Sequence, residues 1–303
     1  MALSNRTKKW MDKKNITLKG KTVLITGANS GVGFKSAECA LYLGADVIMA
    51  CRNLTKAESS KEELLKDYPE ASVELMKLDL SDFSSIDAFV KEIKDTKKDI
   101  DVFINNAGVF HQSGMTKDGF ENVIGINYFA VYRISEEILP YLANLSHKVV
   151  YCNTVSVVHK IARIDYKDFY YSKKYGHLNV YSRSKLCLAK YSYELSQKYE
   201  NTNIFVYMIH PGISVTPLGV NAFGNIVKKI APYVGGIFNS PEKSALQTIY
   251  ILSKNPPAGS LVGPGIFGVW GFPKEGRVGK SVKTGRDELI EFTKNELKRR
   301  CHD

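Results

Sequence analysis

Residues 21–33 of the chain read KTVLITGANSGVG. The first six are mostly apolar or β-branched, which predicts a buried strand, and the following glycine-rich run leads into an apolar-periodic helix. Glycine lets a backbone turn tightly and approach a ligand, while a helix N-terminus offers unpaired N–H groups and a positive dipole end. This order predicts a cradle for dinucleotide phosphates, with an ordinary strand-to-helix turn as the alternative.

The same alternation of short β-branched runs and longer amphipathic stretches continues to about residue 210. The predicted strands are Thr22–Thr26, Asp46–Ala50, Ser72–Leu78, Asp101–Ile104, Lys148–Cys152 and Ile204–Ile209. Helices are predicted near 31–43, 53–67, 84–96, 118–143 and 179–198. Such alternation favours parallel strands joined by right-handed crossovers. We therefore expect an α/β, doubly wound Rossmann fold with a parallel sheet of about seven strands, helices on both faces, and a ligand crevice beyond the strand carboxyl ends.

The pattern is less regular after Pro211. We predict a helix over Pro241–Ser253, a last strand near Gly265–Trp270 and a charged terminal helix over Asp287–Arg300. Apolar residues recur at helical spacing within 221–238, and we expect a substrate lid near 213–240, with ordinary core or a dimer contact as the alternative. No stretch resembles a linker, so residues 1–303 are expected to form a single domain.

Composition narrows the class of protein. Of 303 residues, 44% are hydrophobic, which is ample for a buried core. The formal net charge of +11 favours acidic partners, but the basic residues are dispersed, so we assign no nucleic-acid role. The five cysteines form no C-x-x-C pair, which indicates a reducing compartment, and we assign no metal site.

The chain contains no signal-peptide pattern and no apolar run long enough to span a membrane. We expect a soluble, cytoplasmic protein without a transmembrane span. The basic C-terminal helix leaves peripheral attachment to an anionic membrane open, although we expect little binding. The oligomeric state is also left open, a homo-oligomer included.

Seven motifs along residues 20–217 occur in an order that resembles the short-chain dehydrogenase/reductase family. They are Thr26-Gly27-x-x-x-Gly31-x-Gly33, Asp79-Leu80, Asn105-Asn106-Ala107-Gly108, Asn127, Ser156, Tyr181-x-x-x-Lys185 and Pro211-Gly212. The strings ACRN, NNAG, VSVVH and HPG most resemble the retinol-dehydrogenase-like branch. The resemblance implies an oxidoreductase that moves a hydride between nicotinamide and an alcohol or carbonyl carbon.

The resemblance also implies roles for individual residues. The cofactor would be bound by Gly27, Asn29, Ser30, Gly31, Val32, Gly33, Asp79, Leu80, Asn106, Ala107, Gly108, Tyr181, Lys185, Pro211, Gly212 and Thr216. Tyr181 would transfer the proton, Ser156 would hold the substrate oxygen, and the backbone carbonyl of Asn127 would hold a water that leads to Lys185.

One departure from the family pattern concerns the residue before the serine. The family usually has a small residue there, whereas this chain has Val155, which leaves Thr154 as a rival to Ser156. His159, three residues after Ser156, is read either as a loop histidine or as a substrate contact.

The choice of cofactor depends on the end of the second predicted strand. An acidic residue there would bind the ribose 2′-hydroxyl of NAD, whereas a 2′-phosphate needs a cation. The strand ends Ala50-Cys51-Arg52-Asn53, and the planar guanidinium of Arg52 suits a phosphate. NADP(H) is therefore favoured over NAD(H), with Arg52, Asn53 and Lys56 as its ligands. The alternative is a surface arginine that begins the next helix.

Proton transfer by tyrosine near neutral pH needs a positive charge beside the phenol, because its ordinary pKa is about 10. A lysine four residues later on a helix shares the same face. That spacing occurs at Tyr170/Lys174, Tyr181/Lys185 and Tyr250/Lys254. Tyr170 is expected on a loop and Tyr250 at an exposed helix end, whereas Tyr181 begins a continuous helical pattern. Context therefore favours Tyr181.

The expected substrate is a small hydrophobic alcohol or carbonyl compound. Two alternatives remain at this stage: an NAD-dependent relative that acts on a sugar or acyl substrate, and a dinucleotide-binding regulator without catalysis. Loss of the Tyr, Lys or Ser would support a regulator, but all three are present.

Overall fold

The computed structural model describes residues 2–170, 176–212, 239–266 and 268–300. Within these ranges, eight strands form one sheet in the order β3-β2-β1-β4-β5-β6-β7-β8. The strands are β1 (Thr22–Thr26), β2 (Asp46–Cys51), β3 (Val73–Lys77), β4 (Val102–Asn105), β5 (Val149–Thr154), β6 (Ile204–Ile209), β7 (Leu261–Ile266) and β8 (Trp270–Gly276). All neighbours pair in parallel except β7 and β8, which are antiparallel.

Helices cover both faces of this sheet. They are α1 (Asn5–Asp12), α2 (Gly31–Tyr42), α3 (Leu54–Asp67), α4 (Phe83–Asp95), α5 (Asn122–Ile124), α6 (Ala130–Leu142), α7 (His177–Lys198), α8 (Pro241–Lys254), α9 (Lys280–Lys283) and α10 (Arg286–Arg300). Alternate residues of β1 point into two separate cores, with Leu24 packed on the side of α4, α6 and α7, and Val23 and Ile25 on the side of α2 and α8. A strand buried on both faces accounts for the nearly continuous apolar run of β1.

The predicted doubly wound α/β fold is confirmed, and the six strands predicted before residue 210 lie within two residues of the observed ones. Because the strands run parallel, their carboxyl ends meet at one edge: Thr26 pairs with Ala50, and Asn105 with Asn153. The loops that follow β1, β2, β4, β5 and β6 therefore converge on one crevice.

The prediction of one last strand near Gly265–Trp270 is wrong. That stretch joins two strands, and Ile266 at the end of β7 pairs with Trp270 at the start of β8. Gly268 lies between them with φ +67°, a backbone conformation that favours glycine and allows the chain to reverse. This apolar stretch therefore contains the turn of a hairpin, which its sequence pattern did not indicate.

The helix predicted over 118–143 also differs from the structure. It begins at Asn122, and a π-helical turn over Gly125–Phe129 interrupts it before α6. π-helical turns are uncommon in proteins, and those that occur are often found at functional sites. Asn127 lies within this turn, where its amide bonds to the backbone of another segment rather than facing solvent.

The N-terminal helix α1 was not predicted from the lysine-rich sequence. Ser4 caps it, and Ser4 and Thr7 both hydrogen-bond to Glu242 of α8. Trp10 on the same helix stacks on Phe272 of β8, with ring centroids 5.6 Å apart. These long-range contacts, rather than local hydrophobic pattern, place the helix. No helix within the described ranges has the length and apolar character needed to cross a membrane.

Candidate active site

A cleft of about 680 Å³ lies beyond the carboxyl ends of the strands, where the parallel fold predicts it. Most of the residues predicted to form the site line it: Gly27, Asn29, Ser30, Gly31, Val32, Arg52, Asn53, Asp79, Leu80, Asn106, Ala107, Gly108, Ser156, Tyr181, Lys185, Pro211 and Gly212. Gly33 and Asn127 do not line it and act behind its surface. Thr216 and residues 213–238 of the predicted lid lie outside the described residues.

The glycine loop after β1 is shaped so that larger residues do not fit. Gly27 and Gly31 have φ values of +66° and +58°, which strain any residue with a Cβ. At Gly33, a Cβ would lie 2.5 Å from the Asn106 side-chain nitrogen and 2.5 Å from the carbonyl oxygen of Gly27. The three glycines therefore let the loop fold tightly against the segment that follows β4.

The N-terminus of α2 faces this cleft. Ser30 is its N-cap residue, yet the Ser30 side chain makes no capping hydrogen bond. The first N–H groups of a helix have no intrahelical partners and lie at the positive end of the helix dipole, so they can bind a phosphate. A cradle that a Cβ would fill, together with an uncapped helix N-terminus, fits the pyrophosphate of a dinucleotide.

Thr26 begins the first motif, but the sequence analysis predicted no role for it. Its hydroxyl accepts hydrogen bonds from the backbone N–H groups of Asn106 and Ala107, each at 3.0 Å, and its carbonyl accepts from the Asn106 side chain at 2.9 Å. Thr26 thereby joins the loop after β1 to the loop after β4. Its position at the carboxyl end of β1, beside Gly27, is the sequence signal that could have identified it.

Cations line the same end of the cleft as the glycine loop. Arg52 and Lys56 line it and are exposed, while Asn53 caps α3 by accepting from the backbone N–H of Lys56 at 2.9 Å. Lys77 donates to the carbonyl oxygen of Arg52 and so adds a further cation near this end. Asp79 is the sole acidic residue among the described residues that line the cleft, and its carboxylate accepts from Ser81.

Tyr181, Ser156 and Lys185 come together at the other end. Ser156 lies two residues beyond the end of β5, and Tyr181 and Lys185 lie one turn apart on α7. The side chain of Ser156 is hydrogen-bonded to the Tyr181 hydroxyl. The Lys185 ammonium lies 5.8 Å from the centre of the Tyr181 ring and donates to the carbonyl oxygen of Thr154 at 2.7 Å.

Burial controls the acidity of this pair. It raises the pKa of Tyr181 to about 12, and the hydrogen bond from Ser156 opposes that rise. It also lowers the pKa of Lys185 from 10.5 to about 8, because an ammonium loses hydration there. Burial is therefore the larger influence on the phenol pKa and the Ser156 hydrogen bond the smaller one. The expectation that Lys185 lowers this pKa stays a prediction.

Asn127 supports the site from behind. It is fully buried, and its side-chain oxygen accepts from the N–H of Val109 at 2.8 Å while its nitrogen donates to the Val109 carbonyl at 2.7 Å. The same nitrogen lies 3.1 Å from the hydroxyl oxygen of Ser184 on α7. A Cβ on Gly108 would lie 2.9 Å from the Asn127 oxygen and 3.4 Å from the Lys185 nitrogen, so glycine is needed there.

The competing residues are in other environments. Tyr170 lies in a turn, as expected, and its hydroxyl donates to Glu296 of α10. Tyr250 lies within α8, which packs on the other core. The Thr154 hydroxyl oxygen is shielded from solvent and has no hydrogen-bond partner among the described residues. His159 is buried beside the Ser156 carbonyl, with Nδ1 2.5 Å from that oxygen, and it does not line the cleft.

The sequence reasoning missed the apolar wall around the Tyr181 end. This wall consists of Val109, Phe110, Val157, Val158 and Leu178, with His111 beside them. Phe110 packs on Tyr181 with ring centroids 4.9 Å apart. Each of these residues lies within four positions of a motif residue, but only the fold shows that they share one surface.

Comparison with known proteins shows which family the chain is similar to. The model of the family described as short chain dehydrogenase matches residues 21–225. Human retinol dehydrogenase 12 is 36% identical over 200 residues, which cover 66% of this chain and 63% of that protein. Human retinol dehydrogenase 14 is 35% identical over 251 residues, covering 77% of this chain and 74% of that protein. The match to the first of these relatives thus spans less than two thirds of its length.

A solved structure extends the likeness over nearly the whole chain. An uncharacterised protein from Mycobacterium paratuberculosis superposes with a TM-score of 0.75 and 29% identity. The alignment covers 93% of this chain and 95% of that one. The two chains therefore share one architecture over most of their lengths.

Proposed function

The chain belongs to the short-chain dehydrogenase/reductase family, and from this premise we propose that it is an NADP(H)-dependent oxidoreductase acting on hydrophobic alcohols or carbonyl compounds. Members of this family bind a nicotinamide dinucleotide and act on alcohol or carbonyl groups. The proposal rests chiefly on one observation. A single cleft has a glycine cradle and cations at one end, and Ser156, Tyr181 and Lys185 at the other.

The residues around the glycine cradle fit a dinucleotide. Gly27, Gly31 and Gly33 would admit its pyrophosphate, and Asp79 and Leu80 would lie beside the adenine. When bound, the cofactor supplies or accepts the hydride. The side chains of this protein must then position the substrate and move the proton.

We propose that Tyr181 is the proton-transfer residue. Burial keeps its pKa at about 12, so the hydroxyl is protonated near neutral pH and is suited to donate a proton to a carbonyl oxygen that receives a hydride. Ser156 would hold the same oxygen through its hydroxyl. Lys185 would stabilise the phenolate left on Tyr181 and would bind a ribose hydroxyl of the cofactor. Asn127 would fix the helix turn behind them.

The cations at the other end support NADP(H). A 2′-phosphate would add about two negative charges beside Arg52 and Lys56. Arg52 is exposed at the cleft and free to move its planar guanidinium onto a phosphate, the geometry that arginine binds in a bidentate manner. The one carboxylate among the described cleft residues, Asp79, accepts hydrogen bonds from the backbone N–H and the hydroxyl of Ser81.

The residues that line the cleft around Tyr181 indicate the class of substrate. The valines, Phe110 and Leu178 around Tyr181 offer aliphatic and aromatic surface, which favours a hydrophobic alcohol, aldehyde or ketone over a sugar. Retinol dehydrogenases are among the relatives of the chain, and their named substrate is itself a hydrophobic alcohol. We propose this class of substrate and no individual compound.

NADPH oxidation measured against a panel of aldehydes and ketones of increasing apolar size tests the proposal. We expect turnover that depends on the carbonyl compound and is lost in Tyr181→Phe, while NADPH binding, measured by fluorescence, survives in that variant. A wild-type protein that binds NADPH but reduces none of the panel, or oxidises none of the corresponding alcohols with NADP⁺, would contradict the assignment.

A further inference from the structure

Arg183 is a buried cation to which the proposed mechanism assigns no role. It lies on α7 between Tyr181 and Lys185, and only 2% of its surface is exposed. Its guanidinium donates to backbone carbonyls of the segment before the helix: Nε to Arg163 at 3.1 Å, and Nη1 to Asp165 at 3.3 Å, Asp168 at 2.5 Å and Phe169 at 3.0 Å. The Arg183 side chain, on the helix that carries Tyr181, therefore hydrogen-bonds to four carbonyl oxygens of residues 163–169.

That segment is part of the connection between the two hydroxyl groups of the site. Residues 157–180 join Ser156 to Tyr181, and a connection of this length has many conformations to lose on ordering. Ser156 lies two residues beyond the end of β5, and its carbonyl bonds to His159 within the same connection. The Tyr181 end belongs to α7. Arg183 ties the middle of the connection to the helix that carries Tyr181.

The other side of the segment is held by the C-terminal helix. The ring of Phe169 lies 4.4 Å from that of Phe292 on α10 and 6.2 Å from that of Phe129 in the π-helical turn. The Tyr170 hydroxyl donates to Glu296, also on α10. The segment is therefore clamped between α7 and α10, with Arg183 supplying the polar partners on the α7 side.

Arginine is suited to this position for a physical reason. The carbonyl of Phe169 accepts a buried hydrogen bond, and the other three carbonyls accept partly buried ones. A buried carbonyl without a partner is costly, and the guanidinium carries five N–H donors in a fixed plane. Lysine offers three donors on a single nitrogen, and an apolar side chain offers none. Replacement of Arg183 would therefore leave several carbonyls of the segment unpaired and free it to move relative to α7.

We propose that Arg183 is a positioning residue: by fixing residues 163–169 to α7, it holds the Ser156 hydroxyl and the Tyr181 hydroxyl at a constant separation. This inference rests on the proposed function, because it concerns the same pair of hydroxyls. Arg183 does not line the cleft. It acts on the rate by restricting the connection between two groups that must meet one substrate oxygen.

The test compares Arg183→Met with wild type, using kcat per NADPH-binding site as the readout. We expect kcat to fall about tenfold to a hundredfold, the range that small misplacements of catalytic groups produce. The Kd for NADPH should be unchanged, because the glycine cradle and Arg52 lie on other loops. Arg183→Lys should recover part of the loss, and hydrogen exchange of residues 163–169 should be faster in Arg183→Met than in wild type.

Arg133→Met is the matched control, because the Arg133 guanidinium pairs with Asp87 on the surface between α4 and α6. It should leave kcat unchanged. If Arg183→Met does not fold, Arg183→Lys and Arg183→Gln supply the same measurement.

The outcomes separate this inference from the proposed function. A merely structural role would lower the Tm and the fraction of molecules that bind NADPH, and would leave kcat per binding site at the wild-type value; that result overturns the inference alone. A wild-type protein that binds NADPH but turns over neither carbonyl compounds nor alcohols overturns the proposed function, and the inference with it.

Discussion

The ammonium nitrogen of Lys185 lies 2.7 Å from the carbonyl oxygen of Thr154, to which it donates a hydrogen bond. Lys185 is only 4% exposed, and burial lowers its pKa from 10.5 to about 8. The hydrogen bond fixes the direction of the ammonium between β5 and α7, while the lost hydration makes its charge costly. A charged group held at such a cost is typical of active sites.

We expect the stability of wild type, measured relative to Lys185→Met, to increase with pH. The unfolded chain keeps the lysine proton up to a pKa of about 10.5, whereas the folded chain releases it near pH 8, so folding becomes more favourable between these values. The relative free energy of unfolding should rise by about 2–3 kcal/mol from pH 7 to pH 10. Urea denaturation of both proteins at each pH measures it. If the free energies of unfolding of wild type and Lys185→Met changed in parallel with pH, Lys185 would not be desolvated in the folded protein.

Replacement of Arg52 is expected to alter the choice of cofactor. A charge-assisted hydrogen bond contributes about 1.5–3 kcal/mol, so Arg52→Ala should lower the preference for NADPH over NADH by about tenfold or more. Binding titrations with both cofactors measure the ratio. Lys66→Ala, a change to another cation of the α3 region near the far end of that helix, should leave the ratio unchanged. An unaltered ratio in Arg52→Ala would remove Arg52 from the phosphate site.

A methyl group at Gly33 should disrupt the cradle. In Gly33→Ala the new Cβ would begin 2.5 Å from both the Asn106 side-chain nitrogen and the Gly27 carbonyl oxygen, so the loop must shift. We expect a loss of about 1–3 kcal/mol in the free energy of unfolding, typical of overpacking, together with weaker NADPH binding. Gly176→Ala, where nothing lies within 4 Å of the added Cβ, is the control. Equal cofactor affinity in the two variants would contradict this account of the loop.

Tyr170→Phe and Tyr181→Phe should have opposite effects. The Tyr170 hydroxyl donates to the buried carboxylate of Glu296, so its removal should cost about 1–3 kcal/mol of stability and leave kcat nearly unchanged. Removal of the Tyr181 hydroxyl should lower kcat by about 10²–10⁴-fold, the usual contribution of general acid–base catalysis. Thermal unfolding and steady-state kinetics of both variants decide the matter. A steep loss of kcat in Tyr170→Phe with an active Tyr181→Phe would place the proton donor elsewhere.

Local sequence was enough to predict the sheet and most of the cleft. The strands before residue 210 follow from β-branched runs, and the glycine loop follows from turn chemistry, because both depend on neighbours along the chain. Since parallel strands end at one edge, placing Gly27, Arg52, Asn106 and Ser156 after four different strands already implied that they converge. The same reasoning failed for the β7–β8 hairpin, where the apolar run gave no sign of the reversal.

The sequence by itself thus determined the α/β fold to residue 210, the glycine cradle, the cation after β2 and the candidate pair Tyr181 and Lys185. Only the tertiary structure decided that Asn127 lies in a π-helical turn, that burial dominates the pKa of Tyr181, and that Arg183 gathers the carbonyls of residues 163–169. These features depend on groups that are distant in sequence and close in space. Hydration lost on burial and hydrogen bonds across segments leave no periodic pattern, because they arise only after the elements have packed.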